Sequence, residues 1–476
     1  MAFPYKYKVS NTLLRKLQLS AKMRFASCRI FAPIQKFPKK PLGGQSMRDT
    51  INYVRNMIYG LDALVELNDK RKVPAVNLDN AATTPPLIQV MDEIAEQMWL
   101  YGSIGRGKGQ KSEHTTAIYN NGRSIIKNFL GANSNDYEVF YCQSTTDGIN
   151  KLASALLQNN SDDMVLTTCM EHHANDLPWR ERANTVYADV DENGRLLISD
   201  IEKLLAQYQG KIKYVSVTAA SNVTGYVNRI HKIARLAHKH GAKIIVDGAQ
   251  IVAHRGVNML GIHPEERIDF FVFSAHKMYS PFGGGAVVGL KEALDKHIPQ
   301  FYGGGMVEAV CDNDATFLPA PDSYEAGSPN FPGVAGMLKS IDVLQSIGFG
   351  YIKRYEQFLM RYAVSKLKKI PGIILYGDSK RIADRVGVIP FNLQGISPKD
   401  LAEYLAGNHG IAVRHAAFCA HPYVSRLMQE HNHETCTPPE GMVRASFGIY
   451  TNKEDVDKLL KAVALLSDTL GKSTQS

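Results

Sequence analysis

Between residues 137 and 290 the chain repeats one pattern: a short apolar run, a small polar turn, then a helical stretch. The apolar runs fall at 137–142, 164–168, 184–190, 214–218, 243–247 and 270–273. Strands alternating with helices predict right-handed crossovers and a mostly parallel sheet. Five of the runs lead into a polar residue able to do chemistry: Thr145, His172, Asn222, Asp247 and Lys277. Open α/β sheets bind ligands at the carboxyl ends of their strands. Five such residues at the same end predict a single site.

The last of these stretches is Phe270-Phe271-Val272-Phe273-Ser274-Ala275-His276-Lys277, followed by Met278-Tyr279-Ser280-Pro281-Phe282 and three glycines. A lysine at the mouth of a buried strand is costly to hold as a cation. Burial favours the neutral amine, a nucleophile for carbonyl carbon. That chemistry suits a Schiff base with pyridoxal phosphate; the plain alternative is a surface lysine. Gln143-Ser144-Thr145-Thr146 stands between a strand and a helix start, where backbone N–H groups and hydroxyls favour a phosphate. The same residue types also serve as ordinary helix caps. His172 and His173 are adjacent, so their side chains point apart, and no third ligand stands at a useful spacing. No metal site is predicted there; an imidazole stacked on an aromatic cofactor ring is. The loop 102–109, with Arg106 and Lys108, reads as a glycine-rich surface loop.

The formal charge of +9 points towards nucleic acid only until its distribution is considered. Residues 1–48 hold 11 Lys and Arg and no acid, so 55 less 11 leaves 44 basic against 46 acidic residues, a net of −2 for the rest. No nucleic-acid footprint survives, and no apolar run of 18 residues predicts a membrane span. The six cysteines form no C-x-x-C pair, and a reducing compartment is expected. The basic leader is either a mitochondrial transit peptide or a non-native extension. In the second case the natural start is Met47, and the protein is cytoplasmic.

The expected organisation is a leader over 1–48, an N-terminal helical segment over 49–74, a large domain over 75–332 and a smaller α+β domain over 333–476. Ile51, Val54, Ile58, Leu61, Leu64 and Leu67 recur at helical spacing through 49–70.

Several motifs together resemble the class V aminotransferase group, and within it the cysteine desulfurase/selenocysteine lyase branch. They are LDNAATTPP at 78–86, STTDGIN at 144–150, EHHAND at 171–176, SNVTG at 221–225, VDGAQ at 246–250, FSAHKMYSPFGGG at 273–285, EAGSPN at 325–330 and VRASFGIY at 443–450. The resemblance implies fold type I, a mostly parallel seven-stranded sheet flanked by helices, and pyridoxal 5′-phosphate as cofactor. It implies that Lys277 binds the cofactor, that Asp247 pairs with its ring nitrogen, that His172 stacks on the ring and that Gln250 bonds the ring oxygen. Thr145, Thr146, Ser274 and His276 would hold the phosphate, with Ser328 reaching in from the second subunit of a homodimer. Asn222, Arg414 and Arg444 would bind the substrate carboxylate. Cys419, five residues after Arg414, would attack the sulfur of bound L-cysteine, giving alanine and a persulfide destined for an acceptor protein. The rivals are another class V enzyme with an incidental Cys419 (an aminotransferase, epimerase or selenocysteine lyase) and a non-catalytic scaffold of a sulfur-assembly system.

The chain also departs from the group. Ala416, Ala417 and Phe418 precede the cysteine, where glycine and histidines are usual. Gly105-Arg106-Gly107 lacks a histidine often found before the arginine. A longer segment with His431, His433 and Cys436 follows the cysteine and reads as a solvated insertion, with metal ligation the alternative.

Overall fold

The computed structural model describes residues 47–105, 107–133, 135–157, 162–296, 301–429 and 437–473. Nearly all of the leader, Arg106 and the cluster of His431, His433 and Cys436 lie outside the described residues. No described helix is long and apolar enough to cross a membrane.

Seven strands build the main sheet: β1 (Tyr137–Cys142), β2 (Met164–Thr168), β3 (Asn184–Ala188), β4 (Ile212–Thr218), β5 (Lys243–Asp247), β6 (Phe270–Ser274) and β7 (Gly285–Leu290). Their order is β1-β7-β6-β5-β4-β2-β3. The pairs from β6 through β3 are parallel, and β7 alone runs against both of its neighbours. Every residue of β2, β6 and β7 is buried. This is why their sequences are mainly apolar runs rather than alternating ones: helices cover both faces of the sheet. Gly248 follows β5 because a Cβ there would stand 2.1 Å from the Phe271 ring. Any larger residue would push the end of the strand off its neighbour.

A second, antiparallel sheet has the order β8-β9-β11-β10, made of β8 (Ile373–Leu375), β9 (Val388–Leu393), β10 (Arg414–Ala416) and β11 (Met442–Ser446). Its core includes Leu359, Phe391, Leu401, Val443, Leu459 and Val463, supplied by this sheet and three helices. Val76 and Leu78 also belong to this core, and strand Val76–Asn77 pairs in parallel with Ile411–Ala412. Helix Phe331–Ile347 packs instead on Ile88–Trp99 and Gln110–Phe129, beside the main sheet. The packing therefore changes partners near residue 79 and after 347, not at 75 and 333.

The helical expectation for 49–70 needs correction. The helix runs only over Met47–Arg55, and Leu64–Glu66 pairs with Lys72–Pro74 as a hairpin. Leu64 is exposed, so its helical spacing reflects no buried face. Ile51 does join the smaller core, and Arg55 bonds Asp455 at 2.7 Å.

Candidate active site

A cavity of about 480 Å³ opens at the carboxyl ends of β1, β2, β4, β5 and β6. Thr145, Thr146, His172, Asn222, Asp247, Gln250, Ser274, His276, Lys277, Arg414, Cys419 and Arg444 all line it. The sequence placed Thr145, His172, Asn222, Asp247 and Lys277 at one sheet edge, and the fold brings them to one space with the rest. Ser328 is exposed on a separate loop and does not line this cavity.

One wall is built for an anion. Ser144 caps helix Thr145–Leu156, its hydroxyl accepting from the Asp147 N–H at 3.3 Å. Ser274 Oγ accepts the Thr145 N–H at 2.7 Å and sits 2.8 Å from Thr145 Oγ1. Hydroxyls and first-turn amides thus converge at the positive end of a helix.

The floor holds an acid and a base. Asp247 Oδ1 accepts the Ala249 N–H at 2.8 Å, and burial raises the carboxyl above its usual range while Lys277 pulls it back down. Lys277 is pushed down to about 8, chiefly by burial, with Asp247 opposing and Arg444 adding to the shift. It therefore gives up its proton far more readily than an ordinary lysine.

His172 is pushed down to about 3 by burial, with Lys277, His173 and Arg444 contributing. Its ring is neutral, and Nδ1 accepts the Ala174 N–H at 3.0 Å. Beneath it, Glu171 bonds Thr168 at 2.6 Å, Asn175 at 2.7 Å and the Thr218 N–H at 3.1 Å. That buried network fastens the turn carrying His172 to β2 and β4.

Two arginines form the opposite wall. Arg414 and Arg444 are direct cross-strand partners on β10 and β11, an unfavourable pairing for like charges. Asp79 offsets it, bonding Arg444 Nη2 at 3.0 Å and Arg414 Nε at 3.1 Å. Arg444 is buried, donates from Nη1 to the Asn222 carbonyl at 3.0 Å and lies 4.9 Å from the Phe418 ring centre. Its Nε finds no partner among the described residues. Such a buried donor and two guanidinia against one carboxylate leave positive charge for a small acid.

Cys419 is the exposed thiol in this cavity. Cys142 and Cys169 are buried, and burial raises both thiols well above their usual range. The loop around Cys419 is pinned rather than loose. Its carbonyl accepts the His173 N–H at 2.7 Å, and Asn222 Nδ2 donates to the Phe418 carbonyl at 2.7 Å. Ala417 and Phe418 pack into a core with Met170, Val223 and Tyr423. These anchors hold Ala416, Phe418 and Cys419 at φ of 83°, 54° and 55°, left-handed conformations that cost roughly 1–2 kcal/mol each for a residue with a Cβ. Cys419 also borders an outer groove with Asn150, His173, Leu177, Glu181 and Arg182. It stands between the inner cavity and the surface.

The sequence pattern of the family described as aminotransferase class-V matches residues 76–459. The chain belongs to this family. It is 34% identical over 406 residues to a probable cysteine desulfurase of Halalkalibacterium halodurans, covering 84% of this chain and 94% of that one. It is 35% identical to a cysteine desulfurase of Shigella sonnei, covering 84% and 95%. Among solved structures it is similar to a cysteine desulfurase of Thermococcus onnurineus in its apo form. The TM-score is 0.75 at 29% identity, over 83% of this chain and 95% of the other. An Escherichia coli cysteine desulfurase in an S-sulfonic acid form gives 0.73 at 27%, over 87% and 98%. The fold is therefore type I, as the motifs implied.

Sequence reasoning assigns no role to Asp79 or His421. Asp79 was visible as the acid within LDNAATTPP, but its use depends on two arginines more than 300 residues away. His421 lines the cavity beside Cys419. Among the described residues, no group of three or more His, Cys, Asp or Glu is placed to hold a metal ion.

Proposed function

We propose that this protein is a pyridoxal 5′-phosphate-dependent cysteine desulfurase that moves sulfur from L-cysteine onto Cys419 and releases L-alanine. The observation that carries this is the presence of Cys419 in one cavity with Lys277, Asp247 and Arg444. The cofactor needs a phosphate site, a carboxylate for its ring nitrogen and a neutral amine, and the anion wall, Asp247 and Lys277 fit all three.

Pyridoxal phosphate would supply an aldehyde for amines and an electron sink for bonds at the substrate α-carbon. Thr145, Thr146, Ser274 and His276 would hold its phosphate, with Ser328 of a partner subunit completing the set in a homodimer. Asp247, buried and short of a strong partner, would pair with the ring nitrogen and become more acidic as it does. The neutral His172 ring would lie on the cofactor ring. Gln250 spends one N–H on the Ala81 carbonyl at 2.7 Å and keeps the other for the ring oxygen. Arg444, Arg414 and Asn222 would orient the L-cysteine carboxylate. Lys277 would move the proton at the α-carbon. The Cys419 sulfur would then form a bond to the substrate sulfur as the carbon–sulfur bond breaks. The outer groove beside Cys419 gives a sulfur-acceptor protein its approach.

Incubation with L-cysteine tests this: equal amounts of alanine and total transferred sulfur are expected, with the Cys419 peptide heavier by one sulfur atom. Alanine without a persulfide on that peptide would overturn it. Lys277 also sets a pH dependence. Below about 8 its amine is mostly ammonium and inert, and above it mostly neutral. Uptake of pyridoxal phosphate by the cofactor-free protein, followed by stopped-flow absorbance, is expected to quicken as pH rises through about 8 and then level off.

A further inference from the structure

Phe418 stands directly before Cys419 and lines the same cavity. Its ring is 8% exposed, and the ring centre lies 4.9 Å from the guanidinium carbon of Arg444. Its backbone is held at φ 54°, a conformation that strains a residue with a Cβ. Two contacts keep it there. Asn222 Nδ2 donates to the Phe418 carbonyl at 2.7 Å, and the ring packs with Val223, Tyr423 and Met442. The backbone carbonyl of Asn222 in turn accepts from Arg444 Nη1 at 3.0 Å. Arg444, Asn222 and Phe418 therefore form a closed circuit in which each touches the other two.

Arg444 is 2% exposed, and a guanidinium buried to that degree is costly unless its charge and its N–H groups are answered. Asp79 takes Nη2 at 3.0 Å, and the Asn222 carbonyl takes Nη1. Nε has no partner among the described residues. The other charged groups and rings of the cavity do not answer it. Arg414 is the cross-strand neighbour of Arg444, repels it and shares Asp79 with it at 3.1 Å. His415 pairs in register with Val443 rather than Arg444. His276 has Nδ1 3.2 Å from Thr83 Oγ1, and His421 meets the His173 ring edge to face. Lys277 is a further cation, and it and Arg444 repel each other. The face of the Phe418 ring attracts the guanidinium without consuming any of its N–H groups. A second carboxylate in that place would neutralise Arg444 and compete with an acidic ligand. An aliphatic side chain would leave the guanidinium face without an electrostatic partner.

We propose that Phe418 is the positioning residue of the carboxylate site. Its ring fixes the Arg444 guanidinium so that the Nε–H stays free for the α-carboxylate of the substrate, and the site thereby selects amino acids over plain amines. The role rests on the reading of Arg444 as the group that binds that carboxylate. It gives a use to one of the residues by which this chain departs from its group, because the same circuit holds both the carboxylate site and the loop of the nucleophile.

The test titrates the holoenzyme with L-alanine and, separately, with ethylamine, which is the same amine without the carboxylate. Binding of each is read from the change in the visible cofactor band, so no turnover is needed. In Phe418→Leu the dissociation constant for L-alanine is expected to rise about tenfold, and that for ethylamine to stay within about twofold of wild type. Phe418→Met, also apolar and without a ring face, gives the same comparison if the leucine variant does not load the cofactor. Equal weakening of both ligands, or no change in either, overturns the role of Phe418 and makes it a filler of the core. Arg444→Gln probes the reading beneath: its preference for L-alanine over ethylamine is expected to fall by about a hundredfold. A preference that stays at the wild-type value would instead remove Arg444 as the carboxylate site, and the role of Phe418 with it.

Discussion

Lys277→Ala is expected to lower turnover of L-cysteine by about a thousandfold or more, since the variant loses both a covalent anchor and a positioned base. The lysine amine is the group on the cavity floor whose proton is held loosely, pushed to about 8 by burial against the opposing pull of Asp247. Alanine leaves Asp247 buried without that cation, so the fold around the end of β5 should also be more sensitive to rising pH. Borohydride reduction of the loaded protein separates the catalytic loss from simple unfolding. Wild type should retain a covalent cofactor adduct on the Lys277 peptide, whereas the variant should bind pyridoxal phosphate through its phosphate wall without any adduct. An adduct on a different lysine would reject the assignment.

Cys419→Ala is the second large effect. Release of sulfur from L-cysteine is expected to fall by about a hundredfold or more, as for loss of an activated nucleophile, while the cofactor spectrum and cofactor affinity stay as in wild type. The loop geometry supports this separation. Backbone bonds from His173 and Asn222, and the packing of Phe418, hold the segment without using the thiol. Alanine keeps the Cβ at the left-handed position and removes only sulfur, so melting temperature should change little. Undiminished sulfur release with L-cysteine would return Cys419 to an incidental role and favour a different class V reaction.

The main sheet was legible because its strands are buried on both faces, which turns β2 and β6 into short apolar runs that stand out from the intervening helices. Thr145, His172, Asn222, Asp247 and Lys277 were legible for a related reason, since each stands at or shortly after the end of a main-sheet strand. The missed features depend on partners far away in the chain. The pairing of Arg414 with Arg444 makes Asp79 necessary, and no local pattern at residue 79 announces it. Likewise Ile411–Ala412 pairs with Val76–Asn77 while Arg414–Ala416 joins the smaller sheet, a split that no local pattern marks. Around Leu61, Leu64 and Leu67, helical spacing misled because a hairpin places apolar residues at intervals that also fit a helix. The cysteine loop is held by anchors from His173 and Asn222, which only the folded chain supplies.

The segment from Val76 to Ala82 has a consequence for synthesis. It pairs with Ile411–Ala412, gives Asp79 to Arg444, passes the Ala81 amide to Ser446 and offers the Ala81 carbonyl to Gln250. Partners of this early stretch are therefore among the last parts of the chain to be made. Thr145 and Ser274 of the anion wall are made well before Arg414 and Arg444 of the opposite wall. The two-arginine wall, held together by Asp79, can therefore form only after residue 444 has been translated.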